Sequence, residues 1–325
     1  MSTRQPTNKI KINWLMLLLC PGLVIAQTLL PGFFGSGDTL RYYVASVILV
    51  HILLMYIPTH RFISVNTDAE NRFGQMKINL ATAGAALTLG LGLFCITEAA
   101  ASSLYSLFLY INPNITLSPL QIEGGWRFFA MVLLMVVVPA YAEESLFRGA
   151  LLFSWLPGGK WAAILHAALL CALVSLNPIT APALFLNGVV LGLIACKSGS
   201  CYTAVFAQGC NKLLAVGLTY YLGRNEKALA FLNALSQGQF VLYLALCGAV
   251  LLAAGYAALR VAAKFSKAGE TGCARMIGYG ADGGIDDTIW GGVQSGAPKF
   301  AVPAVTGEKM VVFTYVFLLM INVFL

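Results

Sequence analysis

The sequence predicts an all-α protein, a polytopic membrane helix bundle with eight or nine transmembrane helices. Three observations predict it. Of the 325 residues 59% are hydrophobic and only 10% charged, far from the roughly half apolar, quarter charged make-up of soluble domains, and mean hydropathy is +0.80. The apolar residues fall in runs close to the roughly 20 that a helix needs to cross about 30 Å of hydrocarbon. A backbone in lipid must also satisfy its own polar groups, which a helix does within one segment. The net charge of +7 is spread thinly between these runs instead of gathering on a solvated face, so no nucleic-acid partner is expected and membrane lipid is the surrounding. The eight cysteines lie mostly inside apolar runs and read as small buried hydrophobes rather than as a disulfide framework.

The spans follow in order. The first, Ile12 to Phe33, is long, contains Pro21 and lacks a small-residue cleavage site, so it reads as a retained anchor rather than a signal peptide. Then come Leu40 to Pro58, Ile78 to Thr97, Trp126 to Trp155, Trp161 to Asn177, Pro182 to Cys196, Cys201 to Leu222 and Gln239 to Ala263, with Met310 to Leu325 as the ninth. Lysines and arginines set the orientation. With the amino terminus in the cytoplasm, twelve of them fall in cytoplasmic segments, among them Lys9, Lys11, Arg61, Lys77, Lys160 and Lys197, against Arg41, Arg127, Arg224 and Lys227 on the other side. The expected setting is the cytoplasmic membrane of a bacterium. Residues 265–309 are Gly-rich and polar, which predicts a cytoplasmic loop. Its acidic residues Asp282, Asp286 and Asp287 lack the spaced pattern ending in Glu that a calcium loop requires.

Charges at membrane depth carry the functional signal, because hydrocarbon makes them costly. Glu143, Glu144 and Arg148 lie in the fourth span and Lys212 in the seventh, with His51 and His166 as titratable neutral groups and Ser175, Asn177, Gln208 and Asn211 as polar neighbours. A rise of about 1.5 Å per residue puts Glu143, Glu144 and Lys212 roughly 15–16 Å from the cytoplasmic ends of their spans, near mid-membrane. Glu98, at the end of the third span, reads as a solvated helix end. Glu144 and Arg148 are four apart with the acid first, the favoured order for an ion pair on one face. Glu143 is turned about 100° away from that pair and is the carboxylate left for proton transfer.

The run Ala142-Glu143-Glu144-Ser145-Leu146-Phe147-Arg148-Gly149 resembles the EExxxR motif of the CPBP family, the CAAX-protease and bacteriocin-processing intramembrane endopeptidases also called the Abi family. Trp161 to Pro178 resembles the helix bearing its FxxxH motif, and Phe185 to Lys212 its later helices, with Asn187-Gly188, Leu191-Gly192 and Lys197-Ser198-Gly199-Ser200 as landmarks. On this basis the chain divides into an N-terminal three-span region (1–125), a CPBP-like core (126–222) and a C-terminal region (223–325). The resemblance implies a helix bundle around a cavity open to the cytoplasm, with Glu143 activating water for peptide hydrolysis, Glu144 as its companion and Arg148 as the structural anchor. It also implies motif histidines and an Asn that position water and stabilise the oxyanion. Here the sequence departs from the pattern. Cys171 and Ser175 stand at the FxxxH positions, and Gln208 and Lys212 at those of the later HxxxN motif.

A catalytic zinc needs about three ligands from His, Cys, Asp or Glu, which these replacements do not supply, so no metal or other cofactor is expected. Oxyanion donors remain in the amides of Gln208 and Asn211, and Ser175 is placed to position water. Lys212 is placed either to pair with Glu143, weakening it as a base, or to stabilise the oxyanion itself, or to snorkel. His166 reads as a packed core histidine. The candidate site is therefore Glu143, Glu144, Arg148, Ser175, Gln208 and Asn211. Two functions stay open. One is an intramembrane endopeptidase acting on a membrane-bound or lipidated polypeptide near its cytoplasmic face. The other is a catalytically degenerate relative that binds a partner as a self-immunity or scaffold protein.

Overall fold

A computed structural model of the protein describes residues 5–34, 39–66, 78–111, 124–156, 159–177 and 180–265. These residues form helices and no strand. In chain order they are α1 (Gln5–Phe34), α2 (39–66), α3 (Leu80–Ile111), α4 (Gly125–Trp155), α5 (Lys160–Val174), α6 (Ala181–Ser198), α7 (Cys201–Leu222), a short α8 (Glu226–Ala234) and α9 (Gln237–Phe265). The expected ninth span and the Gly-rich polar stretch fall outside the described residues.

Among the described residues, which hold eight of the nine expected spans, six helices are long and apolar enough to cross a membrane. The two spans that fall short do so for physical reasons. α5 is apolar but only 15 residues long, because Leu176, just past its end, takes a left-handed backbone with φ of 51° that no helix continues through. α7 has the length but carries Gln208, Asn211 and Lys212 in its middle, which lowers its apolarity. The third span was expected to stop at Thr97, yet α3 runs to Ile111. Glu98 is therefore a half-buried residue within a helix, not a solvated end.

Local signals set the other boundaries. The Lys197-Ser198-Gly199-Ser200 landmark is a helix stop followed by a helix start. Gly199 takes a left-handed conformation at φ of 68°, which a residue without Cβ adopts at little cost. Ser200 Oγ then accepts the Tyr202 backbone N–H at 3.3 Å, capping α7. Two of the long helices also contain π-helical segments, Val47–Tyr56 in α2 and Val132–Val137 and Ser145–Leu151 in α4. Such widened turns are rare and recur at functional sites. Here they carry His51 and Arg148.

With little hydrophobic drive between helices in lipid, small residues decide where backbones can approach. A Cβ on Gly92 would lie 2.8 Å from the Leu252 backbone nitrogen, and one on Gly248 would lie 2.7 Å from Ile96, so α3 and α9 cross where side chains are missing. A Cβ on Gly90 would sit 2.5 Å from the Ala207 carbonyl oxygen, which brings α7 against the other face of α3. The buried core runs through α1, α4, α5 and α6, including Ile12, Leu23, Leu146, Leu151, Ile164 and Leu191.

Candidate functional site

Between α1, α2, α4, α5, α6 and α7 lies a cavity of about 630 Å³, within the roughly 300–1,000 Å³ of small-ligand pockets. Glu143, Arg148, Ser175, Gln208 and Lys212 line it. Glu144 and Asn211, expected in the same lining, stand behind it. The positions aligned with the two later family motifs, Cys171, Ser175, Gln208 and Lys212, all reach this one cavity.

The two adjacent glutamates have different fates because successive residues of a helix point about 100° apart. Glu144 is fully buried, and its Oε1 accepts from Arg148 Nη1 at 2.8 Å. This is the pair that the spacing of four predicts, and it forms even though a π-helical segment begins at Ser145. Arg148 is 1% exposed, and its Nη1 also reaches Cys171 Sγ at 3.8 Å. A Cβ on Gly188 would approach Arg148 Nη2 to 3.2 Å and Ala168 to 2.9 Å. The Asn187-Gly188 landmark thus leaves room for the guanidinium between α4, α5 and α6.

Glu143 faces the cavity with 19% of its side chain exposed. Lys212 Nζ donates to both of its carboxylate oxygens, at 2.8 Å and 2.7 Å. His51 Nε2 stands 3.4 Å from Glu143 Oε1. Of the three placements open to Lys212, the structure takes the pairing with Glu143. Gln208 belongs to an amide cluster, in which its Oε1 accepts from Asn187 Nδ2 at 2.9 Å and from Asn211 Nδ2 at 3.5 Å. Ser175 Oγ donates to the Ala172 carbonyl at 2.6 Å, so its lone pairs remain to accept a hydrogen bond.

His51 is the residue whose role the sequence did not disclose. It was visible as a titratable group in the second span, and counting about 1.5 Å per residue from Leu40 puts it roughly 16 Å deep, level with Glu143. Depth alone does not say which neighbour a helix faces, so its partner stayed hidden. His166, by contrast, is a packed histidine, its ring stacked 3.9 Å from that of Trp155 and outside the cavity lining.

Motif residues on four elements therefore meet in one cavity, whose wall includes Arg148 with its buried partner Glu144. Residues 125–214 match the Rce1-like family. Its description is type II CAAX prenyl endopeptidase Rce1-like, in agreement with the CPBP resemblance. The matched Rce1-like segment holds α4, α5, α6 and most of α7, with every candidate residue from Glu143 to Lys212, while His51 lies outside it on α2. No curated protein and no solved structure matches the chain. Over this segment the chain is similar to the CAAX-protease-like membrane endopeptidases. Among the described residues no group of three His, Cys, Asp or Glu is placed to hold a metal ion. Glu143 has one imidazole and one ammonium beside it, which is not a zinc donor set.

Proposed function

We propose that this chain is an intramembrane endopeptidase of CAAX-protease-like type, which hydrolyses a peptide bond of a membrane-bound or lipidated polypeptide with water activated by Glu143. The observation that carries the reading is the convergence of Glu143, Ser175, Gln208 and Lys212 on one cavity inside the Rce1-like segment. In this reading a water held between Glu143 and Ser175 attacks the scissile carbonyl. Its oxygen bonds to the carbonyl carbon as its proton passes to the Glu143 carboxylate. The oxyanion that forms takes hydrogen bonds from the Lys212 ammonium and the Gln208 amide. Glu143 then returns the proton to the departing nitrogen as the C–N bond breaks, leaving a carboxylic acid and an amine. Lys212 has two tasks in this sequence. It holds Glu143 at rest, and its transfer to the oxyanion frees the base as positive charge arrives where negative charge develops. His51 keeps the carboxylate oriented from the other side.

One observation favours a second reading. Both oxygens of Glu143 are bonded by Lys212, and Ser175 and Gln208 stand where the family pattern has histidines. A catalytically degenerate relative would use the same cavity to hold a membrane polypeptide without cutting it, as a self-immunity or scaffold protein. Glu143→Gln and Lys212→Asn separate the two. For the enzyme, Glu143→Gln abolishes cleavage and Lys212→Asn, which takes a donor from the oxyanion, weakens it, both at unchanged abundance. For the binder, each single change lowers stability and the double variant recovers much of the loss, because both charges go together.

A further inference from the structure

We infer that the cavity takes its polypeptide from the membrane face opposite the amino terminus, so that the substrate class is a membrane-anchored polypeptide exposed on the outer side. What happens to that polypeptide rests on the endopeptidase reading; the side of access rests on helix directions and side-chain placement. α1 contributes Gln27, Thr28 and Pro31, all from the last third of a helix that ends at Phe34. The antiparallel α2 contributes Tyr42 and Ser46 from its beginning. α5 contributes from its end, through Ser175 to Asn177, and α6 contributes Leu184 near its start. All four elements meet the cavity at the same end of the bundle.

Exposure follows the same direction. Thr28 and Pro31 are exposed at that end, whereas Met55, Phe147 and Arg148 at the opposite limit of the cavity are buried. Below them the cytoplasmic half of α4 is packed shut. Leu151, Leu152 and Leu156 are buried in one core with Ile12 and Met16 of α1, and Trp155 Nε1 donates to Asn13 Oδ1 at 3.0 Å. A second cavity of about 460 Å³, at the other end of α2 around Tyr56, His60 and Arg61, shares no lining residue with the first.

The excess of Lys and Arg marks the packed end as cytoplasmic. The open end is then the outer one, which departs from the cytoplasmic opening that the family resemblance implies. Its chemistry also selects the ligand. Gln27, Thr28, Ser46 and Asn177 present amides and hydroxyls without net charge. Those groups match the donors and acceptors of an extended main chain, and Pro31, Tyr42, Leu176 and Leu184 beside them give its side chains apolar contact.

The test introduces one cysteine at a time into the full-length protein, after Cys171→Ser, Cys210→Ser and Cys247→Ser remove the described thiols that are not buried, Cys171 among them because it lines the cavity, and Cys273→Ser removes the one outside the described residues. Ser46→Cys and Thr28→Cys report on the mouth, and Ser64→Cys on the other end of α2. The probe is a membrane-impermeant maleimide, applied to intact cells and to inside-out vesicles. The expected result is labelling of Ser46→Cys and Thr28→Cys in intact cells with loss of that labelling in inside-out vesicles, and the reverse for Ser64→Cys. Labelling of the mouth cysteines only in inside-out vesicles, in both preparations, or in neither while Ser64→Cys still reacts, overturns the inference. Outer labelling without any cleavage would instead refute the endopeptidase reading alone, since access does not depend on Glu143.

Discussion

Glu143 and Glu144 are neighbours in sequence with different surroundings, and the surroundings follow from which way each points. Glu144 and Arg148 are buried together, so removing either partner leaves a charge without compensation, at about 3–5 kcal/mol. Glu144→Gln and Arg148→Ala are expected to lower the amount of folded protein in the membrane, read by immunoblot and by thermal unfolding in detergent. Glu143 keeps contact with the cavity, and Glu143→Gln is expected to leave the folded amount unchanged while cleavage is lost. His51 Nε2 stands against the Glu143 carboxylate. His51→Ala is expected to lower kcat without changing KM for a peptide substrate, and His51→Gln, which keeps a donor, to recover part of the loss. An equal fall in folded protein for both His51 variants would make it a packing residue instead.

At the scale of elements, close approach does the positioning. α6 lies against α5 and beneath Arg148 because Gly188 has no side chain there. Gly188→Val forces Ala168 or the guanidinium to move, an overpacking that costs about 1–3 kcal/mol. It is expected to lower the detergent melting temperature and to weaken cleavage through the displaced Arg148. Gly84→Val, where a Cβ would meet nothing within 4 Å, serves as the control and should change neither. The π-helical segments of α2 and α4 show what sequence patterns leave out. A run of apolar residues with 3.6-residue spacing fixes the existence of a helix, but a widened turn depends on the neighbours it packs against. The third span likewise continues to Ile111, beyond the point where apolarity alone suggested an end, because Ala99 to Ala101, Leu104, Leu107 and Leu109 favour a helix and no Gly or Pro interrupts this stretch.

For the molecule as a whole, hydropathy disclosed the helical class, and the EExxxR spacing disclosed the buried pair and the glutamate turned away from it. Ser175, Gln208 and Lys212 were found by their register to the motifs, because register survives the loss of the motif side chains. Less legible were the features that need contacts between distant helices. The pairing of Lys212 with Glu143 was one option of three, His51 had no assigned partner, and the direction in which the cavity opens follows only from which helix ends line it. The central claim is that Glu143 performs hydrolysis. The measurement that tests it most directly compares the new peptide termini in membranes containing wild-type protein with those in membranes containing Glu143→Gln at matched abundance, read by terminal-labelling mass spectrometry. At least one membrane polypeptide is expected to carry a cut that is present with the wild type and absent with the variant. Identical sets of termini in the two membranes would contradict the account and leave the cavity as a binding site.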